Sequence, residues 1–206
     1  AEYYFAHRFA AEALGILQQL AIERPAIRDQ AKFRVLRGAS NVLMGHIAKA
    51  GVDLKHPVLR DVDEARFWQS AMQAFAGDLP GAARPLRRFG AIIRPYPRAL
   101  KVPLGMLVAE GALSIGSYKT AKDYLNLVNS AELDSAEQGR FAYLSGRLKE
   151  LAGDTDGAVT SWEQAMASPN RPSRAKSTIA RVELLLSKKT MTALEAIAEM
   201  EKLRFI

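Results

Sequence analysis

Tyr143, Arg147 and Glu150 follow one another at steps of four and three, which sets an aromatic ring, a guanidinium and a carboxylate one turn apart on a single helix face. Aromatic and arginine side chains are the usual anchors of protein interfaces. The same three residues would also serve as ordinary solvated or packing positions. A second group is purely cationic. Arg84, Arg87, Arg88, Arg94, Arg98 and Lys101 occur between Leu79 and Ala109 without one acidic residue. They could meet nucleic acid, an anionic lipid or an acidic partner, and Tyr96 among them could stack on a base. A solvated face whose basic stems lie over apolar surface accounts for them as well.

Catalytic groups are sparse. Glu110, on an apolar helix, is the one carboxylate suited to acid catalysis, because burial would raise its pKa. No second catalytic group or substrate loop accompanies it, and the chain has neither a glycine-rich phosphate loop nor a Gly-x-Ser-x-Gly turn. His7, His46 and His56 lack the spacings of a metal site. There are no cysteines, which excludes disulfides and cysteine-based zinc sites. These residues predict a non-catalytic protein with no metal or cofactor.

The elements that position these residues repeat along the chain. Arg8, Gly45, Gly77, Gly116, Gly153 and Lys188 mark turns spaced by 37, 32, 39, 37 and 35 residues. Five residues after each comes a small one: Ala13, Ala50, Ala82, Ala121, Ala158 and Ala193. Four further on stand Leu17, Leu54, Leu86, Leu125, Trp162 and Ile197. Three beyond those are Leu20, Pro57, Phe89, Val128, Ala165 and Met200. Offsets of three and four place each trio on one helical stripe. Seven residues before the turn, Gly38, Ser70, Ala109 and Gly146 supply a small residue where two helices cross. A glycine inside a helix costs about 1 kcal/mol against alanine, so Gly38 and Gly146 need a packing reason. The last hairpin has Arg181 there, with Ala180 beside it.

Helix boundaries are legible too. Asp134 with Glu137, and Thr192 with Glu195, read as capping boxes. Ser173 reads as an N-cap after the loop that begins at Pro169. Pro95-Tyr96-Pro97 predicts an extended stretch between hairpins. Gly51 and Pro57 predict a short or distorted second helix in the second hairpin, ended by His56-Pro57 and followed by a loop to about Asp61.

Gly146, Gly153-Asp154, Ala158, Trp162 and Ala165 resemble the tetratricopeptide repeat (TPR), and the unit with Ala109, Gly116, Tyr118, Ala121 and Leu125 is similar. The family's aromatic late on the first helix is replaced by Asn41, Gln73, Ala112 and Lys149, so the resemblance is that of a divergent member or of a related helical-hairpin array. The resemblance implies an all-α fold, a right-handed superhelix of antiparallel helix hairpins forming a single domain over residues 1–206, in about five and a half repeats. It also implies a concave groove, lined by the first helices, that binds a peptide or helix. Mapped here, that groove comprises Lys32, Phe67, Ala71, Met106, Glu110, Arg140, Tyr143, Arg147 and Glu150.

Composition fits this reading. The 206 residues are 49% apolar and 25% charged, as in a globular or helical-repeat protein. Residues 1–101 hold 16 Lys/Arg and 9 Asp/Glu, a net of +7, and residues 102–206 hold 13 of each. No run of about 18 apolar residues is present to span a membrane. The opening Ala1-Glu2-Tyr3-Tyr4-Phe5 fits only the second half of a first helix, which suggests a piece of a longer, Ala/Arg/Leu-rich bacterial scaffold or assembly protein. Cytoplasm and periplasm are equally compatible. The expected partner is another protein or peptide. An acidic partner or nucleic acid at the basic stretch is the alternative.

Overall fold

The computed structural model describes residues 1–128 and 132–205, and every regular element among them is helical. The chain divides into two compact units, residues 1–115 and 116–206. The first unit contains α1 (Glu2–Ala6), α2 (Ala10–Glu23), α3 (Ala31–Leu43), α4 (Ile47–Leu54), α5 (Asp63–Phe75), α6 (Leu79–Phe89) and α7 (Arg98–Ser114). The second contains α8 (Tyr118–Leu127), α9 (Ser135–Leu151), α10 (Thr155–Met166), α11 (Arg171–Ser187) and α12 (Ala193–Glu201).

The turns carry the repeat. Gly45, Gly77, Gly116 and Gly153 adopt φ of +72°, +98°, +68° and +82°. The other left-handed residues are Arg8 at +65° and Lys189 at +58°. This is the backbone state that ends a helix and reverses the chain, and glycine enters it without a Cβ penalty. Five of the six predicted turn markers are therefore left-handed residues, and the sixth lies one residue further on.

Packing follows from that register. Ala13, Ala50, Ala82, Ala121 and Ala158 are each 0% exposed, and the larger residues Leu17, Leu54, Leu86, Leu125 and Trp162 are all buried. Gly38 and Gly146 supply the close crossings. A Cβ at Gly38 would lie 2.6 Å from Leu54 Cγ, and one at Gly146 would overlap the Trp162 indole.

The last hairpin departs from the predicted stripe. Ala193 and Ile197 are exposed and Ala196 is buried. In the earlier hairpins the N-cap immediately follows the left-handed residue, as in Gly153-Asp154, whereas Thr192 follows Lys189 by three. Counted from the N-cap the pattern is restored, because Ala158 and Ala196 each lie four residues beyond it. Two extra turn residues, together with a left-handed residue one position later than the marker, moved the stripe by three.

Both capping boxes form, at Asp134/Glu137 and Thr192/Glu195. The cap of α11 is Asn170 and not Ser173: the Asn170 side chain accepts the Ser173 N–H at 2.9 Å, and Ser173 is buried in the first turn. Pro172, inside that first turn, needs no N–H partner, which fixes the helix start upstream of Ser173. The second hairpin is as short as predicted, with α4 spanning eight residues before a 3₁₀ turn at Pro57–Leu59 that His56 caps.

Each unit has its own core. In the first, Phe5, Phe67 and Trp68 meet edge to face, with centroids 5.7 Å apart for Phe5–Trp68 and for Phe67–Trp68. In the second, Ala158, Trp162, Ala180 and Leu184 form the cluster on which Tyr143 and Val159 pack. The Trp162 indole N–H donates to the Tyr143 carbonyl at 3.2 Å.

Candidate functional site

In the first unit, α1, α3 and the start of α5 lie side by side, and the start of α7 completes a concavity of about 470 Å³. Its walls are apolar. Phe5, Val35 and Leu100 are buried in its floor, with Ala31, Leu36 and Val62 partly exposed around them. At the rim Lys32 Nζ pairs with Glu2 Oε1 at 2.7 Å, both side chains largely in solvent. Concave apolar sites of about 300–1,000 Å³ with a few placed polar groups are the usual form of a binding pocket.

The placed polar groups here are Glu64 and Tyr96. The Tyr96 hydroxyl donates to the Glu64 carboxylate and accepts the Trp68 indole N–H at 3.1 Å. Its ring stands edge-on to Phe5, 6.5 Å between centroids. Burial, and then the adjacent Glu64 carboxylate, push the Tyr96 phenol above its ordinary range. Glu64 lies in the first turn of α5, where the helix end favours a carboxylate.

The backbone puts Tyr96 there. Its N–H closes a turn on the Ile93 carbonyl at 3.0 Å, and Pro97, at φ −58° and ψ 156°, then launches α7. Pro95-Tyr96-Pro97 is thus only partly the extended stretch predicted, because Tyr96 folds back across α5 to reach a carboxylate 32 residues away. That also corrects the base-stacking reading, since the ring and hydroxyl are already engaged inside the unit.

Of the groove residues predicted, Lys32 alone lines this cavity. Phe67 and Met106 are 0% and 1% exposed, and Ala71 is 0%. This corrects the mapping: α5 and α7 are covered on the face that carries Phe67, Ala71 and Met106, so these side chains belong to the core. Glu110 on α7 is half-buried and engaged with other groups of the chain.

The remaining predicted groove residues are on α9 in the second unit. Arg147 Nη1 pairs with Glu150 Oε2 at 3.1 Å. Tyr143 is half-buried on the core, with the Lys176 ammonium 5.7 Å from its ring centroid. Arg140 is half-buried and has partners of its own.

The basic stretch divides in two. Arg84, Arg87 and Arg88 are exposed on one face of α6, while Ala82, Ala83 and Leu86 are buried on the other. The Arg88 guanidinium lies 5.2 Å over the Phe89 ring. Arg94 and Arg98 are exposed but engaged within the chain, and Lys101 is half-buried.

The histidines lie apart in local roles. His56 Nδ1 accepts the Val58 N–H at 3.3 Å, and the exposed His7 ring rests 4.6 Å from Tyr3. Among the described residues no three His, Asp or Glu side chains come together to hold a metal ion, and no helix is long and apolar enough to cross a membrane.

The sequence pattern does not point to Val35, Leu36, Glu64 or Leu100, and it points to Tyr96 only as a base-stacking ring. A signal existed for two of them, because Val35 and Leu36 lie one turn beyond Lys32 on the same helix. Comparison with protein-family models, with curated proteins and with solved structures gives no match.

Proposed function

We propose that this chain is a non-catalytic, TPR-like interaction module that binds a peptide or helix of a protein partner, as part of a bacterial scaffold or assembly protein. The recognition site is the concavity between Lys32, Val35, Leu36, Glu64, Tyr96 and Leu100. The observation that supports this most is its make-up. Apolar walls hold a partner's apolar side chains, while two fixed polar groups orient it, and faces of α1, α3, α5 and α7 form most of the cavity, with the turn at Tyr96-Pro97 closing it. The repeated left-handed turns and the small-residue crossings support the TPR-like reading of the architecture.

The test is selection of random peptides of about twelve residues on the immobilised chain, followed by binding of the enriched peptides to wild type and to Ala31→Trp, which fills the cavity mouth. Affinity should fall by about tenfold or more in the variant. Equal affinity would place recognition elsewhere.

A second reading rests on the exposed trio Arg84, Arg87 and Arg88, which present three cations at i, i+3 and i+4 to an acidic partner or nucleic acid. Retention on a heparin column that ignores salt concentration would eliminate it.

A further inference from the structure

The peptide-groove reading says nothing of the occupant's charge, but the cavity's own charges do. Lys32 and Glu2 neutralise each other at the rim. Among the described residues Glu64 has no cationic partner. Its carboxylate accepts at Oε1 from the neutral Tyr96 hydroxyl, and Glu64 lines the cavity, where solvent reaches it. A partner seated over this carboxylate strips that water away. The loss is recovered only when the partner brings a donor, and a cationic donor recovers it best.

We infer, resting on the peptide-groove reading, that the segment this cavity takes is apolar with one Lys or Arg side chain directed at Glu64. The occupant is a peptide of a protein partner, not a free amine, because the apolar floor of Phe5, Val35 and Leu100 runs from α1 across α3 to α7, and so calls for several side chains in a row. The inference opposes the bulk electrostatics. The chain carries a net charge of +7, with the excess in its first 101 residues, so non-specific attraction favours acidic peptides. A basic preference can come only from a local carboxylate.

The same selection, run in parallel on wild type and on Glu64→Gln, separates the two ideas. Glutamine keeps a carbonyl to accept the Tyr96 hydroxyl and removes only the charge. Peptides enriched on wild type should carry Lys or Arg within an apolar stretch, and this bias should vanish on Glu64→Gln. The best peptide should lose about tenfold or more in affinity on Glu64→Gln. It should lose as much when its basic residue is replaced by norleucine, a change that leaves the protein untouched and so covers a folding defect in the variant.

Peptides whose binding Ala31→Trp blocks but which show no basic preference overturn this inference alone. Enriched peptides that Ala31→Trp does not affect, or no enrichment at all, overturn the groove reading and this inference with it.

Discussion

Two alanine substitutions in the first unit should move its stability in opposite directions. Gly38 lies on α3 where α4 crosses. A methyl group there would stand 2.6 Å from Leu54 Cγ, 2.8 Å from Leu54 Cδ2 and 3.3 Å from Asp53 Cβ. Carbon atoms rest at about 3.5–4.0 Å, so Leu54 has to retreat by about 1 Å. Leu54 is 0% exposed, so it can retreat only against other buried groups. Asp53 is fixed as well, gripped by Arg37 through contacts of 2.7 and 2.6 Å. Overpacking of this kind costs about 1–3 kcal/mol, and the better helix propensity of alanine returns about 1. Gly38→Ala should therefore destabilise the unit, by up to about 2 kcal/mol. Gly15, on α2, has nothing within 4 Å of its Cβ position, so Gly15→Ala should stabilise by about 0.5–1 kcal/mol.

The assay is urea unfolding followed by Trp68 fluorescence in a Trp162→Phe background, which confines the signal to the first unit because the chain has only these 2 tryptophans. With an m-value of about 2 kcal/mol/M, the two variants should differ in midpoint by about 1 M. A Gly38→Ala midpoint at or above that of its parent would refute the close crossing on which the hairpin stacking depends.

Three further outcomes follow from particular groups. Asp53 is 2% exposed and holds Arg37 by two hydrogen bonds and Arg34 by one at 3.3 Å; Asp53→Ala leaves both guanidinium groups without it and should cost about 3–5 kcal/mol in urea unfolding. Lys189 pays for its φ of +58°, so Lys189→Gly should raise the stability of the second unit by about 0.5–1 kcal/mol, read from its melting transition. The folded first unit holds the Tyr96 proton more tightly than the unfolded chain does. That contribution is intact below the ordinary phenol value of 10.0 and is lost as pH rises above it. The loss should reach about 1.4 kcal/mol per pH unit, and Tyr96→Phe, though less stable at neutral pH, should lack this component of the alkaline slope.

What the sequence made legible was set by local physics. A left-handed turn needs glycine or tolerates few alternatives, so the positions of Gly45, Gly77, Gly116 and Gly153 fixed four hairpin turns, and the alanine and leucine stripes followed by helical periodicity. The stripe of α12 was misplaced because periodicity carries no information on loop length, and two additional residues before Thr192, after a left-handed residue one position late, rotate the whole helix. The cap of α11 was misassigned because Ser173 and Asn170 are both good caps, and only Pro172 between them decides.

The site was harder to see. Periodicity shows that Phe67 and Met106 share a face, but not that a neighbouring helix covers it. Glu64 and Tyr96 meet across 32 residues through a turn that two prolines shape, and nothing in the local pattern of either residue announces the other.

The proposed seat of a partner's side chains is the concavity of the first unit. Its most direct test is NMR on methyl-labelled chain saturated with the best selected peptide. Intermolecular contacts should appear between peptide protons and the methyl groups of Val35, Leu36, Val62 and Leu100. Contacts confined to other methyl groups, with these four signals unmoved, would contradict it.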